Sequence, residues 1–313
     1  MKVCIKPHHE LTICEDGSVH LCCHTSRSVR NIKSQKLEDI WQSETMTSLR
    51  ELNAQGKLPC IGDCKRKHNF FDPSTELELR TPNLERVLII VGIYCNIRCV
   101  MCYQNSKRER CGNSPSQALS ADLLVEQIDF GSLSDVVLQG GEPTVIPEAM
   151  KLFYYISNMK PPPHVNLITN GLVLSESMID AVVGHSRFYE VSLNAATKET
   201  HESVNRGSCW ERVMFNLRRL REERDRRNSK LSVVGNMTII PQNILEIGNF
   251  IRLRNELGFD EITFNYDKKT VPGLLSDENL KKQIIRDIAT ALTHEESVAC
   301  IGDHKLRQLG LLS

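Results

Sequence analysis

Three cysteines lie within eight residues of the chain and could together hold a metal ion or a cluster. They are Cys95, Cys99 and Cys102, in the stretch YCNIRCVMCYQ (94–104), and their spacing is C-x3-C-x2-C. A closed structural metal site usually takes four protein ligands, whereas three ligands leave one coordination position open. The spacing therefore indicates a site at which a further molecule binds and reacts.

A second motif, LQGGEPTV (138–145), contains two adjacent glycines followed by an acidic residue. Gly140 and Gly141 lack a Cβ, so the backbone there can approach a ligand closely. Glu142 follows at the predicted tip of a strand, before Pro143. A lone Gly-Gly pair is also typical of an ordinary turn. This pair becomes specific because it lies one β-α unit after the cysteine loop.

Both motifs follow β-rich runs in a segment where short strands alternate with longer helical patterns. Six such β-α units predict an α/β fold with a parallel sheet and right-handed crossovers. Six strands fit a partial (β/α)6 TIM-like barrel, and a doubly wound open sheet is the alternative. Either fold gathers reactive groups at the carboxyl ends of its strands. The predicted strands are 86–93, 135–139, 164–169, 188–194, 231–239 and 261–266, and the predicted helices lie near 120–129, 147–159, 175–184, 209–227, 243–257 and 277–293.

The first 72 residues form a separate segment that holds six of the twelve cysteines. The run LTICEDGSVHLCC predicts a β-hairpin around Asp16 and Gly17, which are a strong turn pair. The stretch 36–56 has a partial helical pattern. We therefore expect a small cysteine-rich module, a linker and an α/β domain with a C-terminal helical tail. Their expected bounds are 1–72, 73–84 and 85–313.

The overall composition argues against several classes of protein. Lys+Arg and Asp+Glu number 39 each, so the formal net charge is zero, and a nucleic-acid binder with its usual basic excess is not expected. No apolar run approaches about 18 residues, and the N-terminal stretch lacks the apolar core of an export signal. We therefore expect a cytoplasmic protein with no membrane partner. In a reducing compartment, clustered cysteines indicate metal or redox sites before disulfides.

Together the two motifs resemble those of the radical S-adenosylmethionine (SAM) enzymes, over about residues 85–266. That family has C-x3-C-x2-C after its first strand and a Gly-Gly-Glu-Pro-type motif after its second. The resemblance implies that Cys95, Cys99 and Cys102 ligate a 4Fe–4S cluster whose fourth iron binds the amino and carboxylate groups of SAM. An electron from the cluster cleaves SAM into methionine and a 5′-deoxyadenosyl radical, which takes a hydrogen atom from the substrate.

The same resemblance implies a set of SAM contacts. The Gly-Gly-Glu motif matches the segment that holds the methionine amino group, and VSLNAAT is similar to the ribose-binding segment, with Asn194 in place of a frequent acid. Met101 stands where the family often has an aromatic residue and can pack against adenine. Asn236 faces SAM or the core, the TNG at 169–171 faces SAM or forms a turn, and Arg206 meets the SAM carboxylate or lies on the surface. The candidates are Gly140, Gly141, Glu142, Thr169, Asn170, Ser192, Asn194, Arg206, Asn236 and Met101.

The N-terminal segment resembles the SPASM/Twitch modules that carry auxiliary clusters on many radical SAM enzymes. The resemblance lies in the C-x(9–15)-G-x4-C opening, which ends here at Cys22, in the stretch around LEDIW and in a later cysteine pair. Such modules mostly follow the barrel, whereas this one precedes it. Zinc in place of the cluster, Cys23 in place of Cys22, or His8 or His24 as a ligand are alternatives, and Cys14 is expected to be a packed thiol. The resemblance implies one auxiliary 4Fe–4S cluster ligated by Cys4, Cys22, Cys60 and Cys64.

The resemblance also implies an activity, namely modification of a peptide by crosslinking, epimerisation or oxidation, with a flavodoxin or ferredoxin-type electron donor. A dehydrogenase or epimerase of a sugar or aminocyclitol metabolite is the alternative. A zinc-stabilised, non-catalytic binding protein is a third interpretation, which the intact CNIRCVMC and GGEP motifs argue against. A cysteine thiol can donate a hydrogen atom in radical epimerases, although such a residue is otherwise a small buried hydrophobe. The cysteines to which either description could apply are Cys111, Cys209 and Cys300.

Overall fold

Strands occur where the sequence predicts them throughout the α/β segment. The computed structural model describes residues 3–23, 25, 27–60, 70–71, 82–293 and 301–312. Each of the six predicted strands is present, and three of them have the predicted bounds. The strands are β1 Val3–Cys4, β2 Glu10–Ile13, β3 Ser18–His20, β4 Arg30–Asn31, β5 Phe70–Phe71, β6 Arg86–Ile90, β7 Arg98–Cys99, β8 Asp135–Gln139, β9 His164–Thr169, β10 Phe188–Ser192, β11 Asn205–Arg206, β12 Ser232–Ile239, β13 Glu261–Tyr266 and β14 Ile301–Gly302.

Several helices begin at a side chain that accepts a hydrogen bond from the backbone of the first turn. Ser120 Oγ accepts from Leu123 N and Ser175 Oγ from Met178 N, which satisfies N–H groups that have no partner inside the helix. All six helices predicted in the α/β segment are present. The helices are α1 Lys6–His9, α2 Leu37–Trp41, α3 Glu44–Ala54, α4 Asn105–Cys111, α5 Ala121–Gln127, α6 Pro147–Ser157, α7 Glu176–His185, α8 Lys198–Val204, α9 Trp210–Arg226, α10 Ile247–Leu257, α11 Val271–Leu274, α12 Glu278–Leu292 and α13 His304–Gln308.

The chain divides into two compact units, of which the first comprises residues 1–94 and 113–166. Its strands follow the order β8-β6-β2-β3-β4. β6 pairs in parallel with β8 on one side and with β2 on the other. β2 and β3 form the predicted hairpin. Gly17 in its turn has a φ of +87°, a conformation that would be strained in a residue with a side chain. The hairpin prediction is confirmed.

The second unit comprises residues 95–112 and 167–313. Its strands follow the order β14-β13-β12-β10-β9, counting β9 from Leu167, and every neighbouring pair is parallel. The helices α7 and α9 pack together, as do α10 and α12. The side chains of Val233, Met237 and Ile239 in β12 are fully buried. Parallel strands connected by helices confirm the predicted α/β class.

The helical stretch predicted at 36–56 is two helices instead of one. α2 ends at Trp41 and α3 begins at Glu44, and Ser43 between them caps α3 by accepting from Met46 N. A serine at the N-cap stabilises the start of a new helix, so the chain breaks here instead of continuing as one helix. The predicted domain bounds at 72 and 85 stay a prediction. Among the described residues, no helix has the length and apolar composition needed to cross a membrane.

Candidate active site

The three cysteines of the C-x3-C-x2-C motif lie in one short loop of the second unit. Cys95 begins the loop, Cys99 belongs to β7 and Cys102 precedes α4. The backbone closes on itself through hydrogen bonds from Cys102 N to Cys99 O (3.1 Å) and from Asn105 N to Cys102 O (3.2 Å). All three cysteines are partly exposed. The loop is thus closed by its own backbone, and its three cysteines keep access to solvent.

A two-stranded ribbon fixes the middle of this loop. β7 pairs antiparallel with β11, with Cys99 opposite Asn205 and Arg98 opposite Arg206. Val100 N extends the pairing by donating to a backbone oxygen 2.8 Å away at the end of α8. Arg206, a predicted SAM contact, is exposed beside the cysteine loop. Its role toward the SAM carboxylate stays a prediction.

A second anchor reaches the loop from the carboxyl end of β9. Asn170 donates through Nδ2 to Oδ1 of Asn96, 2.9 Å away, and accepts through Oδ1 from Leu172 N. Thr169 Oγ1 accepts from Gly171 N, so the TNG segment is a hydrogen-bonded turn. Asn170 is buried, and its amide orients the residue that follows Cys95. The structure therefore places Asn170 in support of the loop and Thr169 in the adjoining turn, and direct contacts from either residue to SAM stay a prediction.

The electrostatics of the loop favour binding of a positively charged group. Burial, followed by the neighbouring thiols of Cys102 and Cys95, raises the pKa of the Cys99 thiol to about 12, while Arg108 opposes the shift. Ligation by sulfur requires thiolates, and three thiolates at close range repel one another. An iron–sulfur core supplies the positive charge that offsets this repulsion. The donor set of three thiols in a half-buried loop fits the cluster that the sequence motif implies.

Arg108 is a residue of this site that sequence reasoning missed. Its side chain is buried in α4, and its Nη2 donates to Cys102 Sγ (3.0 Å) and to Asn105 Oδ1 (2.9 Å). The sequence KRER at 107–110 offers no signal that separates this arginine from its charged neighbours. The signal lies instead in the position of Arg108 along the helix. Residues three apart lie on the same helix face, so Arg108 shares the face of Asn105, which faces the loop.

The Gly-Gly-Glu motif lies in the first unit, directly after β8. Gly141 N donates to Gly92 O (2.8 Å), and Glu142 N donates to Tyr94 O (2.7 Å). A Cβ on Gly141 would lie 1.8 Å from Tyr94 O, and one on Gly140 would lie 2.5 Å from Gly92 O. The close approach that both glycines permit here is to the 92–94 backbone. Any additional approach to SAM stays a prediction.

The carboxylate of Glu142 is buried and points back into its own loop. Oε1 accepts from Thr144 N (3.1 Å) and from Thr144 Oγ1 (2.6 Å). These bonds cap a 3-10 helix that runs over Pro143–Val145. The side chain therefore has a structural task, and the predicted contact to the SAM amino group would add to it.

Asn194 joins the ends of two strands in the second unit. Its φ is +60°, a left-handed conformation that asparagine tolerates better than most residues. Oδ1 accepts from Thr238 N (2.8 Å), and Nδ2 donates to Ser192 O (3.2 Å) and to Asn205 Oδ1 (3.1 Å). Its side chain thus supports Asn205, which faces Cys99 in the ribbon. Contacts from Ser192, Asn194 and Asn236 to SAM stay predictions, as does packing of the partly exposed Met101 on adenine.

The N-terminal cysteines belong to the first unit. Cys4 is buried in β1, where its N donates to Asn53 Oδ1 (2.9 Å) and its O accepts from Asn53 Nδ2 (2.8 Å). Cys22 follows β3, and Cys60 follows α3. Cys64, Cys300 and His24 lie outside the described residues. The ligand set of an auxiliary cluster stays a prediction.

His8 has the environment of a neutral core histidine. It is buried, and burial followed by the charge of Arg50 and the neighbouring His9 lowers its pKa to about 4. Asn53 Nδ2 lies 3.3 Å from His8 Nε2, so the imidazole accepts there in its neutral form. This hydrogen bond occupies Nε2, one of the two nitrogens through which a histidine can ligate a metal.

Comparison with known proteins gives two family matches. A model described as the radical SAM superfamily matches residues 89–254, which is more than half of the chain. A SPASM model, described as an iron-sulfur cluster-binding domain, matches residues 4–66. The two domains imply SAM and two 4Fe–4S clusters as cofactors, as the sequence motifs predict.

Individual relatives are distant. The GTP 3′,8-cyclase of Desulforamulus reducens is 26% identical over 178 residues, 56% of this chain and 53% of that protein. A probable GTP 3′,8-cyclase of Saccharolobus islandicus is 24% identical over 181 residues, 57% of this chain and 56% of that protein. The chain thus spans about half the length of the curated relatives it matches.

Similarity to a solved structure extends over nearly the whole chain. Streptococcus suis SuiB, crystallised with precursor peptide SuiA, aligns with 93% of this chain and 70% of its own, with a TM-score of 0.50 and 14% identity. Identity at this level bears on the fold alone. The family model rests on the sequence itself, includes both the cysteine loop and the Gly-Gly-Glu motif, and agrees with the parallel α/β fold. This chain belongs to the radical SAM superfamily.

Proposed function

We propose that this protein cleaves SAM reductively and uses the resulting 5′-deoxyadenosyl radical to abstract a hydrogen atom from a peptide. The observation that carries the proposal is the loop of Cys95, Cys99 and Cys102, in which three thiols share one anchored segment. When bound there, a 4Fe–4S cluster would supply the electron and an open iron for SAM.

The protein's own residues would hold this site rigid. Asn205, opposite Cys99 in the ribbon, donates through Nδ2 to Leu193 O (2.9 Å) and is itself held by Asn194. Asn170 fixes Asn96 from the other side of the loop. Ligands held on hydrogen-bonded elements stay within the narrow geometric range that catalysis requires. These contacts support a preorganised cluster site.

We propose a role toward SAM for each of two charged residues, taken separately. Glu142, a buried carboxylate with a fixed orientation, would meet the positive amino group. Arg206, exposed next to the cysteine loop, would meet the carboxylate. Charge-assisted hydrogen bonds of this kind contribute on the order of 1.5–3 kcal/mol each.

We further propose that the N-terminal cysteines hold an auxiliary 4Fe–4S cluster. Cys4, Cys22, Cys60 and Cys64 all lie within the segment that the SPASM model matches. Four thiolate ligands would leave no open iron, so this cluster would pass electrons or hold the module together. A flavodoxin or ferredoxin-type protein would supply those electrons.

A peptide is the substrate class that the comparisons favour. SuiB, whose fold is similar over nearly the whole chain, was crystallised with a precursor peptide. The GTP 3′,8-cyclases match a little more than half of the chain. GTP is therefore the competing substrate that an experiment must include.

Transfer of deuterium into 5′-deoxyadenosine tests both the reaction and the substrate class. The protein is reconstituted anaerobically and supplied with dithionite, SAM and a peptide fraction from native-host cells grown in deuterated medium. We expect deuterated 5′-deoxyadenosine, and we expect protease treatment of the fraction to abolish the label. Label that survives protease, or that arises from deuterated GTP alone, would contradict the peptide assignment while leaving SAM cleavage intact.

A further inference from the structure

Arg108 makes direct contact with the sulfur of a predicted cluster ligand. Its Nη2 lies 3.0 Å from Cys102 Sγ, and its side chain is only 5% exposed. Arginine is rarely buried to this extent unless an anionic partner offsets its charge. A thiolate at Cys102 is such a partner, and it is formed whenever the cysteine ligates iron.

A short relay fixes the direction of this guanidinium. Asn105 donates through Nδ2 to Cys99 O (2.9 Å) and accepts through Oδ1 from Arg108 Nη2 (2.9 Å). Asn105 and Arg108 are three residues apart in α4 and so share one helix face. The relay links the backbone of one cysteine to the side chain that contacts the sulfur of another. An arginine held in this way cannot swing into solvent without breaking both contacts.

Neighbouring cations in the same helix provide a contrast. Arg110 is exposed, and Lys107 is partly exposed. A cation in solvent is screened by water and salt, whereas a buried one acts on its neighbour at low dielectric. Arg108 is buried in the same helix, and it contacts a cysteine sulfur directly.

We propose that Arg108 is a positioning residue that tunes the SAM-binding cluster by hydrogen-bonding the Cys102 thiolate and raising the cluster's reduction potential. The inference rests on the proposed function. Hydrogen bonds to cluster sulfurs and nearby positive charge favour the reduced state, because reduction adds one negative charge to the cluster. Dithionite would supply the one electron that reduces the cluster.

The experiment measures the ratio of reduced to oxidised cluster at a fixed ambient potential. The signal is taken from the cluster whose electron paramagnetic resonance spectrum changes on adding SAM, which separates it from an auxiliary cluster. Arg108→Met keeps the length of the side chain but removes its charge and its donors. Arg110→Met is the matched control, because it removes an exposed arginine from the same helix. We expect the ratio to fall at least tenfold in Arg108→Met, equal to about 59 mV for one electron, and to change less than twofold in Arg110→Met.

Each outcome decides the question. A tenfold fall with iron content retained supports the proposal, and an unchanged ratio with iron retained overturns it. If Arg108→Met loses iron, Arg108→Lys is compared: iron kept by lysine supports a requirement for positive charge at Cys102, whereas iron lost from lysine as well assigns the residue to packing and overturns the proposal. A wild-type protein that binds no cluster at all would instead refute the proposed function.

Discussion

Glu142 accepts two hydrogen bonds from one residue, Thr144, through a single carboxylate oxygen. Oε1 lies 3.1 Å from Thr144 N and 2.6 Å from Thr144 Oγ1. An amide oxygen could accept both bonds equally well, so the cap does not need a negative charge. The structural task of this side chain can therefore be separated from an electrostatic one.

Glu142→Gln is predicted to weaken SAM binding while leaving the loop folded. The change keeps the acceptor oxygen and removes the charge that would meet the SAM amino group. We expect affinity to fall roughly 10- to 100-fold, on about 1.4 kcal/mol per tenfold, with iron content unchanged. The measurement is a SAM titration followed by cluster spectroscopy.

Thr144→Val is the matched control for this prediction. It removes the hydroxyl that donates to Oε1 and keeps the carboxylate charge. We expect a stability loss of about 1 kcal/mol and SAM affinity close to wild type. Unaltered affinity in Glu142→Gln would leave that residue with its capping role alone.

Asn170 and Asn96 are predicted to be energetically coupled through their hydrogen bond. Alanine at either position removes the 2.9 Å hydrogen bond, and alanine at both positions should cost less than the two single losses combined. We expect a coupling free energy of about 0.5–1.5 kcal/mol, measured by urea unfolding of anaerobic, iron-loaded protein. A coupling near zero would show that this contact does not stabilise the loop.

Replacing both Cys60 and Cys64 by alanine is predicted to remove the auxiliary cluster alone. Iron content should fall by about four per chain, from about eight, because these residues lie outside the cysteine loop. SAM binding should persist, and substrate turnover should fail. Cys14→Ala, in the hairpin turn, should keep full iron. Full iron in the double variant would refute the ligand assignment. Zinc in place of about four irons in the wild-type protein, lost in the double variant, would identify a structural zinc site.

His8 is predicted to make stability depend on pH. Its pKa is about 4 in the folded chain against an ordinary 6.5, so between these values the unfolded chain binds more protons. The free energy of unfolding should fall as pH drops through this window, by at most about 3 kcal/mol. Above the window, the stabilisation that the neutral imidazole contributes should be fully present. His8→Gln cannot titrate and retains an acceptor for Asn53, so its urea midpoint should vary less between about pH 5 and 7. Equal slopes in both proteins would contradict the assignment.

Local sequence signals were enough for the six strands predicted in the α/β segment, for the hairpin and for the cysteine loop. The run DVVLQ is apolar, β-branched and bounded by turn residues, so β8 has the predicted bounds. The hairpin follows from the turn pair at Asp16 and Gly17. In both cases the signal and the structure span the same few residues, which is why the sequence alone could locate them.

Contacts between distant parts of the chain could not be predicted in this way. The parallel pairing of β2 with β6 joins segments about 75 residues apart, and nothing in either run names its partner. Asn194 acts through a side-chain network in which one partner, Thr238, lies 44 residues away. The break before α3 depends on Ser43 acting as a cap, a role that competes with helix continuation and is decided by packing.

Formation of 5′-deoxyadenosine from SAM under dithionite is the most direct measurement of the proposed activity. Wild-type protein and Cys111→Ala, which changes an exposed cysteine at the end of α4, should both form it. Cys99→Ala should form none and should lose about four irons per chain, because three thiolates are the minimum anchor of an open cluster. Wild-type-like SAM cleavage by Cys99→Ala would contradict the assignment of Cys95, Cys99 and Cys102 as the ligands of the SAM-cleaving cluster.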